Sequence, residues 1–414
     1  MKTLKKHSRV NIDHDHHGSC IRLPEDIMFH HILTRLPVKS LVGFRCVSKS
    51  WCSFLTSNNP SFIDLHLSRS QSCLATTTNL LMSGYDKQLQ RECLLLTDLE
   101  GGGRATRLLM AADTIENERL LLSENINGLV CWHNTRCAYI CNPSTRELVK
   151  LPIIPQTTRR IDSYNFGFDP SSKEFKVLNF RISWTGNGAT CESFHIFTLG
   201  SDSWRRIHPA LPFVFSDNLP WGLFSLINAV CLNGALHWIH EDMATILVFD
   251  LKDEKFRVIP LSSDVLLHAS QNILLQVDGN LVVVCIRHGL NYYENMEMEM
   301  EIEILTLEDY QNEIWIKESI INPFRWDRDN FDDYVIPAVG KILLKRKTLF
   351  KNVSSGEVHL EDFCYDIKHK SLTSIRIPEL SEGWLSPVHG FTNHIESIFS
   401  LSSQQTKALS KSGN

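Results

Sequence analysis

Two groups of side chains in this sequence could bind a metal ion. The first is the run Asp-His-Asp-His-His at residues 13–17, with Cys20 close by, but it lies in a polar tail where nothing fixes ligand geometry. The second is the pair His237 and His240, whose spacing on a β-strand turns the two imidazoles to opposite faces. The sequence therefore favours a disordered tail and core or turn histidines, with no metal and no cofactor.

The sequence contains none of the common catalytic motifs that can be recognised from consecutive residues. The sequence contains no GxSxG nucleophile motif, no GxGxxG or GxxxxGK[ST] phosphate loop and no HExxH zinc motif. Its twelve cysteines lack paired CxxC spacings, and most fall inside apolar runs such as those ending at Cys131 and Cys285. We expect reduced core thiols and a non-catalytic protein.

The charge balance and hydropathy exclude several classes of partner. With 42 basic and 47 acidic residues the net charge is −5, which predicts neither nucleic acid nor a membrane surface as the partner. No apolar run approaches the roughly 18 residues of a membrane span, and the N-terminus lacks the apolar core of a signal peptide. We expect a soluble intracellular protein, in the cytoplasm, the nucleus or both.

The elements that must position any site begin with a helical region at residues 21–70. Pro24 and Pro37 bracket a first predicted helix, a second runs from about Ser40 through Phe54 and is closed by the break at residues 58–60, and a short third covers residues 62–67. About 45 helical residues cannot usually bury enough apolar area to offset their ordering entropy, so these helices must rest on another domain or another chain. A docking module is indicated.

This region resembles the F-box of plant F-box proteins. The resemblance is carried by Leu23-Pro24, the Ile32-Leu33 pair, and the stretches at residues 35–41, 44–51 and 59–62, and it departs at His30-His31 and Gly43. It implies docking of a Skp-type adaptor, which connects the protein to a cullin scaffold. The implied contact residues are Leu23, Pro24, Ile27, Ile32, Leu33, Leu36, Pro37, Leu41, Val47 and Trp51. The alternative is that Leu33, Leu36, Leu41 and Trp51 form the core of a helical cap on the larger domain.

From residue 75 to residue 401 the pattern changes to short β-rich runs separated by turn residues. One unit of three strands spans residues 127–152 and another spans 232–260, while weaker copies span 175–207, 279–317 and 340–377. Repetition at about 45 residues, with three or four strands in each unit, predicts an all-β propeller of about six blades. Within it, the alternation of Met or Ile with Glu at residues 296–304 predicts a strand whose glutamates face solvent.

The β-rich region is similar to the F-box-associated, kelch-like propeller of plant F-box proteins. The similarity is carried by the motifs Asn-Gly-Leu-Val from Asn127, Asn-Pro-Ser-Thr-Arg from Asn142, Phe-Gly-Phe-Asp-Pro from Phe166 and Leu-Asn-Gly-Ala-Leu-His-Trp from Leu232. We expect these motifs to be structural, with Trp238 packed between blades. The predicted domains are a disordered tail at 1–20, an F-box at 21–67, the propeller at 75–401 and a disordered tail at 402–414.

The two resemblances together imply a substrate-recognition subunit of a Skp–cullin–F-box ubiquitin ligase. In that role the propeller binds a target protein of unknown identity, and the irregular insertions at residues 185–190, 216–224 and 322–334 are the candidate loops. The candidate contacts are Trp221, Phe324, Trp326 and Arg328. A plain solvated loop is the alternative reading of these segments. A binding module that uses its F-box outside a ligase, or a propeller enzyme whose acidic residues converge from several loops, are the alternative functions.

The sequence also predicts how the ring closes. The run at residues 393–401 is expected to form a strand that pairs into the blade begun near residues 94–96, which leaves no open sheet edge. The Ser/Gln/Lys tail at 402–414 carries no apolar pattern, so its removal is expected to be silent.

Overall fold

The computed structural model describes most of the two predicted regions. The described residues are 24, 27–56, 59–73, 79–86, 89–98, 106–111, 119–154, 160–185, 188–212, 229–240, 244–261, 271–288, 300–321, 335–338, 341–345, 362–366, 369–375, 390–402 and 404. Among them, no helix is both long enough and apolar enough to cross a membrane.

The helical module contains more segments than the three helices predicted. It consists of a π-helix, Ile27–Ile32, a 3₁₀-helix, Leu33–Arg35, and three α-helices, α1 (Val38–Phe44), α2 (Lys49–Thr56) and α3 (Pro60–Cys73). The predicted second helix is divided because the Ser48 hydroxyl accepts the backbone N–H of Trp51 at 3.2 Å and starts a new helix. The third begins two residues earlier than predicted because Asn59 caps it at the Phe62 N–H and Pro60 is its first residue, and it continues to Cys73.

One apolar core holds the helical module together. Its buried members are Leu33, Val38, Leu41, Leu55, Phe62 and, from the other end of the chain, Ile398. Aromatic rings pack around them, with Phe44 and Trp51 edge to face at a centroid distance of 5.5 Å and Phe54 and Phe62 at 5.1 Å. The module therefore completes its core with a side chain from the C-terminal part of the protein.

The strands form six four-stranded antiparallel sheets. The first contains β1 (Asn79–Asp86), β2 (Arg91–Asp98), β3 (Thr106–Met110) and β24 (Gly390–Asn393). The next two contain β4 (Leu121–Leu122), β5 (Val130–His133), β6 (Ala138–Asn142) and β7 (Glu147–Lys150), then β8 (Arg160–Asp169), β9 (Glu174–Thr185), β10 (Gly188–Thr198) and β11 (Arg205–Ile207). The fourth contains β12 (Val230–Leu232), β13 (Ala235–His240), β14 (Thr245–Asp250) and β15 (Lys255–Pro260). The last two contain β16 (Gln271–Val277), β17 (Asn280–His288), β18 (Met300–Asp309) and β19 (Ile314–Ile321), then β20 (Val335–Ala338), β21 (Lys341–Lys345), β22 (Asp362–Asp366) and β23 (Ser371–Ile375).

The sheets are arranged as the blades of a propeller. Contacts join the innermost strands around the ring: β24 to β4, β8 to β12, β12 to β16, β16 to β20 and β20 back to β24, while β5 contacts β8. The prediction of a helical region followed by an all-β propeller is confirmed. The five repeat units read from the sequence correspond to the second, third and fourth strands of five blades.

Turns of one kind join the third and fourth strands of most blades. In each, an Asn or Asp that ends the third strand accepts backbone N–H groups two and three residues further on, as Asn142, Asp250 and Asp309 do. The residue four positions on then has a positive φ, as at Arg146 and Glu254. Side-chain hydrogen bonding inside the turn explains why the third strands of these blades end in an Asn or Asp.

The strand order defines two faces of the propeller. The face that we call the module face carries the turns between first and second strands and between third and fourth strands, including the turn at Lys173. Lys173 pairs there with Asp64 of α3 at 2.7 Å, so the helical module lies on this side. The opposite, distal face receives the connections from each fourth strand to the next blade.

Ring closure differs from the prediction in its residues. The closing strand is β24, Gly390–Asn393, and it pairs with Leu80–Ser83 of β1. This is the blade whose strand β2 contains residues 94–96, so the predicted blade is confirmed, whereas the predicted strand residues are not. Residues 394–400 are not a strand, and they run across the module face as an extended segment. The expectation that this run would be a strand was wrong because its backbone groups bond to side chains of other elements, as Leu401 N–H does to Glu147.

A second correction concerns the glutamates of the predicted alternating strand. Only its C-terminal part, from Met300 onwards, lies within the described residues, as the start of β18. Glu303 was expected on a solvated face, yet it is buried and its carboxylate forms an ion pair with Lys317 of β19. The neighbouring strand supplies the charge that allows this carboxylate to be buried.

Candidate docking surface

Three large apolar side chains of the helical module are exposed. Ile27 and Ile32 are 43 % and 40 % exposed, and Val47 is 64 % exposed. Ile27 and Ile32 begin and end the π-helix, where a spacing of five residues places them near the same side of the turn. These side chains have no place in the module's own core, which makes them candidates for contact with another chain.

The structure divides the predicted adaptor contacts into three groups. Pro24, Ile27, Ile32, Pro37 and Val47 are exposed, and Leu36 and Trp51 are half-buried. Leu33 and Leu41 are only 2 % and 0 % exposed and pack inside the module, so their role as direct adaptor contacts stays a prediction. They support the module from within, as the helical-cap alternative proposed for them. Leu23 lies outside the described residues.

The half-buried Trp51 connects the module's core with its surface. Its ring packs against Phe44 at 5.5 Å and against Phe29 at 6.4 Å, while part of the indole stays open to solvent. Such a ring can contribute to a partner surface and to the stability of the module at once. Its substitution would therefore change both properties.

A segment that the sequence did not associate with docking supports this surface. The Glu396 carboxylate accepts the backbone N–H of Val38 at 3.1 Å, at the start of α1. Two residues on, Ile398 is 2 % exposed and lies in the module's core. The resemblance to the F-box-associated propeller includes this run only as part of the propeller, and its apolar residues at every third position, 395, 398 and 401, indicate burial.

The same C-terminal segment is bound tightly to the propeller. The Asn142 amide donates to the backbone oxygens of Ser397 at 3.0 Å and Phe399 at 2.7 Å. Gly128, with φ of +84°, approaches so closely that a Cβ there would lie 2.1 Å from Ser397 Cβ, so only glycine fits. The segment thus holds the helical module against the propeller.

The predicted target contacts fall in parts of the chain that the structure does not describe. Trp221, Phe324, Trp326 and Arg328 all lie outside the described residues. Their segments connect β11 to β12 and β19 to β20, so both leave from and return to strand ends on the distal face.

The histidines considered as metal ligands have other partners. His237 is buried, with Nδ1 at 3.1 Å from the Val230 oxygen and Nε2 at 2.7 Å from the Tyr310 hydroxyl, and burial lowers its pKa to about 4. His240 is buried too, which confirms the prediction of core histidines. Within the described ranges, no group of three or more His, Cys, Asp or Glu side chains could hold a metal ion. Residues 13–17 and Cys20 lie outside those ranges.

The predicted packing role of Trp238 is confirmed. Its ring is fully buried against Phe180 of the neighbouring blade at 5.3 Å, and its indole N–H donates to Asn165 of that blade at 3.0 Å. Trp132 repeats this arrangement by donating to Ser83 of the blade before it, at 2.8 Å. The tryptophans of the repeated motifs are therefore structural.

Comparison with known proteins agrees with this architecture. An F-box domain model matches residues 21–62, and a model of the F-box associated beta propeller domain matches residues 107–401. F-box protein At1g30790 of Arabidopsis thaliana is 28% identical over 402 residues, covering 90% of this chain and 92% of its own. F-box protein DOR of the same plant is 27% identical over 399 residues, covering 91% and 93%. Because the propeller model alone matches more than half of the chain, the protein belongs to the plant F-box proteins that carry an F-box-associated β-propeller domain.

Proposed function

We propose that this protein is the substrate-recognition subunit of a Skp–cullin–F-box ubiquitin ligase. Its helical module docks a Skp-type adaptor, the adaptor connects it to a cullin scaffold, and the propeller binds a target protein for ubiquitination and proteasomal degradation. The protein contributes proximity between target and ubiquitin-charged enzyme instead of a catalytic group. Such a subunit acts in the cytoplasm, the nucleus or both.

The observation that carries the proposal is the division of the helical module's apolar residues. Leu33, Leu41 and Ile398 are buried in the core of the module. Ile27, Ile32 and Val47 remain exposed although the module packs against the propeller. An exposed apolar group that the protein's own fold leaves uncovered is characteristic of an interaction surface. The F-box family match supports a Skp-type adaptor as the occupant.

The strand order supports a target site on the side away from the adaptor. The helical module and the C-terminal segment occupy the module face, as the Lys173–Asp64 pair and the Asn142 contacts with the segment indicate. The segments that contain Trp221 and Trp326 start and end at strands on the distal face. A target bound there would not compete with the adaptor for surface.

Affinity purification of the tagged full chain from plant cells tests the adaptor and scaffold parts of this proposal. We expect a Skp-type adaptor and a cullin to be recovered together, because the adaptor bridges the two. Recovery of the adaptor without cullin would favour a binding module that acts outside a ligase. Recovery of neither would contradict the proposal.

The target-binding part is tested by replacing both Trp326 and Arg328 with alanine. Tryptophan and arginine are the side chains whose truncation most often costs a complex more than about 2 kcal/mol. We therefore expect the double variant to lose the target proteins that proximity labelling under proteasome inhibition enriches around the wild-type protein. Adaptor recovery and the melting temperature should stay unchanged. An unchanged labelling profile would remove these two residues from the site, and a lower melting temperature would assign them to packing.

A further inference from the structure

A cavity with both polar and apolar lining opens at the centre of the propeller on its module face. Its volume is about 570 Å³, and its rim is formed by the first turns of several blades, at Asn127, Asn233 and Asp278. Gln71, near the end of α3, lines it from the helical module. The cavity therefore lies where the two domains meet and is distinct from the exposed apolar surface described above.

The polar side chains around this cavity are mainly acids and amides, and apolar side chains such as Ile126, Phe168 and Ile395 complete its lining. Glu124 and Asp278 supply carboxyl groups, and Asn125, Asn127, Asn233 and Asn393 supply amides. None of the described residues that line it is Lys, Arg or His. Its chemistry is thus that of acceptors and neutral donors, without a positive charge.

Glu124 is half-buried and lines the cavity. The backbone groups of Cys231 and Gln276, which belong to the fourth and fifth blades, act on its carboxyl in favour of the ionised form. Within the described part of the chain no cation pairs with it. Burial raises the pKa of Glu124 to about 8. An acid without a counter-charge is therefore held in an open cavity at the ring centre.

A second polar side chain beside the cavity has an unpaired donor atom. Asn125 is 9 % exposed and lines the cavity, and its Oδ1 accepts the Gly128 N–H at 2.8 Å. Its Nδ2 has no hydrogen-bond partner. Leaving such a buried donor unpaired is costly, so a carbonyl oxygen delivered by a ligand would satisfy it.

We propose that this cavity binds an organic cation, the guanidinium or ammonium group of a basic side chain on a peptide. The cation pairs with Glu124, and the carbonyl of the same peptide residue accepts from Asn125. A hard divalent metal fits less well, because backbone groups already act on the Glu124 carboxyl and the cavity is far larger than an ion requires. A free diamine offers the charge but no carbonyl.

Calorimetric titration of the full chain tests the assignment with four probes: N-acetyl-arginine methylamide, N-acetyl-lysine methylamide, putrescine and calcium chloride. We expect saturable binding of an acetylated amino-acid amide that is tighter than that of putrescine. Glu124→Gln keeps the size of the side chain and should weaken this binding by about tenfold or more. Glu308→Gln makes the same charge change at an exposed position of β18 and should leave the affinity unchanged.

The titration also has a protonation signature. Glu124 is mostly protonated at pH 7, and a bound cation favours the ionised carboxylate, so binding should release a proton and tighten as pH rises towards 9. The other titratable groups that face it are Asp278 and the Cys231 thiol, whose pKa burial raises to about 12. The number of protons released is measured from the difference in binding heat between buffers of different ionisation enthalpy. The release should be absent in the Glu124→Gln protein.

Several outcomes would overturn the inference, and it stands apart from the proposed ligase function. Calcium binding alone, putrescine bound more tightly than the peptide analogues, or equal affinities of the wild-type and Glu124→Gln proteins would each contradict it. If Glu124→Gln fails to fold, Asp278→Asn at the exposed rim provides a second variant, for which we expect a smaller loss of affinity. Adaptor binding is unaffected in either case.

Discussion

Aspartate in place of both Ile27 and Val47 is expected to abolish adaptor binding while leaving the protein folded. Both side chains are exposed, so the change adds charge to the surface without opening a cavity. If each serves as an apolar anchor worth about 2 kcal/mol, the loss of about 4 kcal/mol corresponds to a roughly thousandfold weaker complex. Calorimetry with the purified adaptor measures the affinity, and thermal unfolding confirms the fold.

Matched controls for this experiment are present in the propeller and in the module's core. Val258→Asp and Ile314→Asp place the same charge on exposed apolar positions of the propeller and should leave adaptor binding intact. Leu41→Asp should also abolish binding, but with a lower melting temperature, because a fully buried position must then hold a charge. Unchanged affinity of the Ile27 and Val47 double variant would remove the exposed surface as the docking site.

Ending the chain at Asn393 is expected to destabilise the helical module although its own residues are all present. This truncation keeps β24 and the closed ring but removes Ile398 from the module's core, an effect comparable to a large-to-small core substitution of ~2–5 kcal/mol. It also leaves the Val38 N–H without its Glu396 acceptor and the Asn142 amide without the two carbonyls it bonds. We expect weakened adaptor binding and a melting temperature lowered by several degrees.

Two further variants locate the origin of that effect. A chain that ends at Gln404 should behave as the full protein. Removal of residues 402–414, which the sequence predicts to be silent, would already delete the Ser402 hydroxyl that donates to Glu147 at 2.9 Å. Ile398→Asp in the full chain should reproduce most of the loss, since it alters the core without touching the propeller contacts. A chain ending at Asn393 that melts and binds adaptor like the full protein would disprove the coupling.

The repeated blade pattern could be read from the sequence because its determinants are local. The second, third and fourth strands of each unit are consecutive in the chain and are joined by turns whose Asn or Asp bonds its own neighbours, as at Asn142 and Asp250. Two of the innermost strands, β4 and β12, were not predicted from the sequence. β4 has two residues and β12 has three, too few for a hydrophobic period, and their place is decided by contacts around the ring.

The helical module shows the same division between local and long-range determinants. Pro24, Pro37 and Pro60 mark helix limits through a fixed φ and a missing N–H, so the sequence alone predicts that helices form here. It could not tell the buried Leu41 from the exposed Val47, since both are apolar positions of one pattern. That choice depends on which neighbours arrive, and one of them, Ile398, comes from the opposite end of the chain.

The sequence by itself determined the family, the helical module followed by a propeller, and the residue types available for docking. Only the tertiary structure decided which apolar side chains remain exposed, where the C-terminal segment runs and that Glu124 reaches the ring centre without a counter-charge. Turns and helix limits arise from interactions a few residues apart, whereas burial and the pKa of an acid depend on atoms brought together from distant parts of the chain.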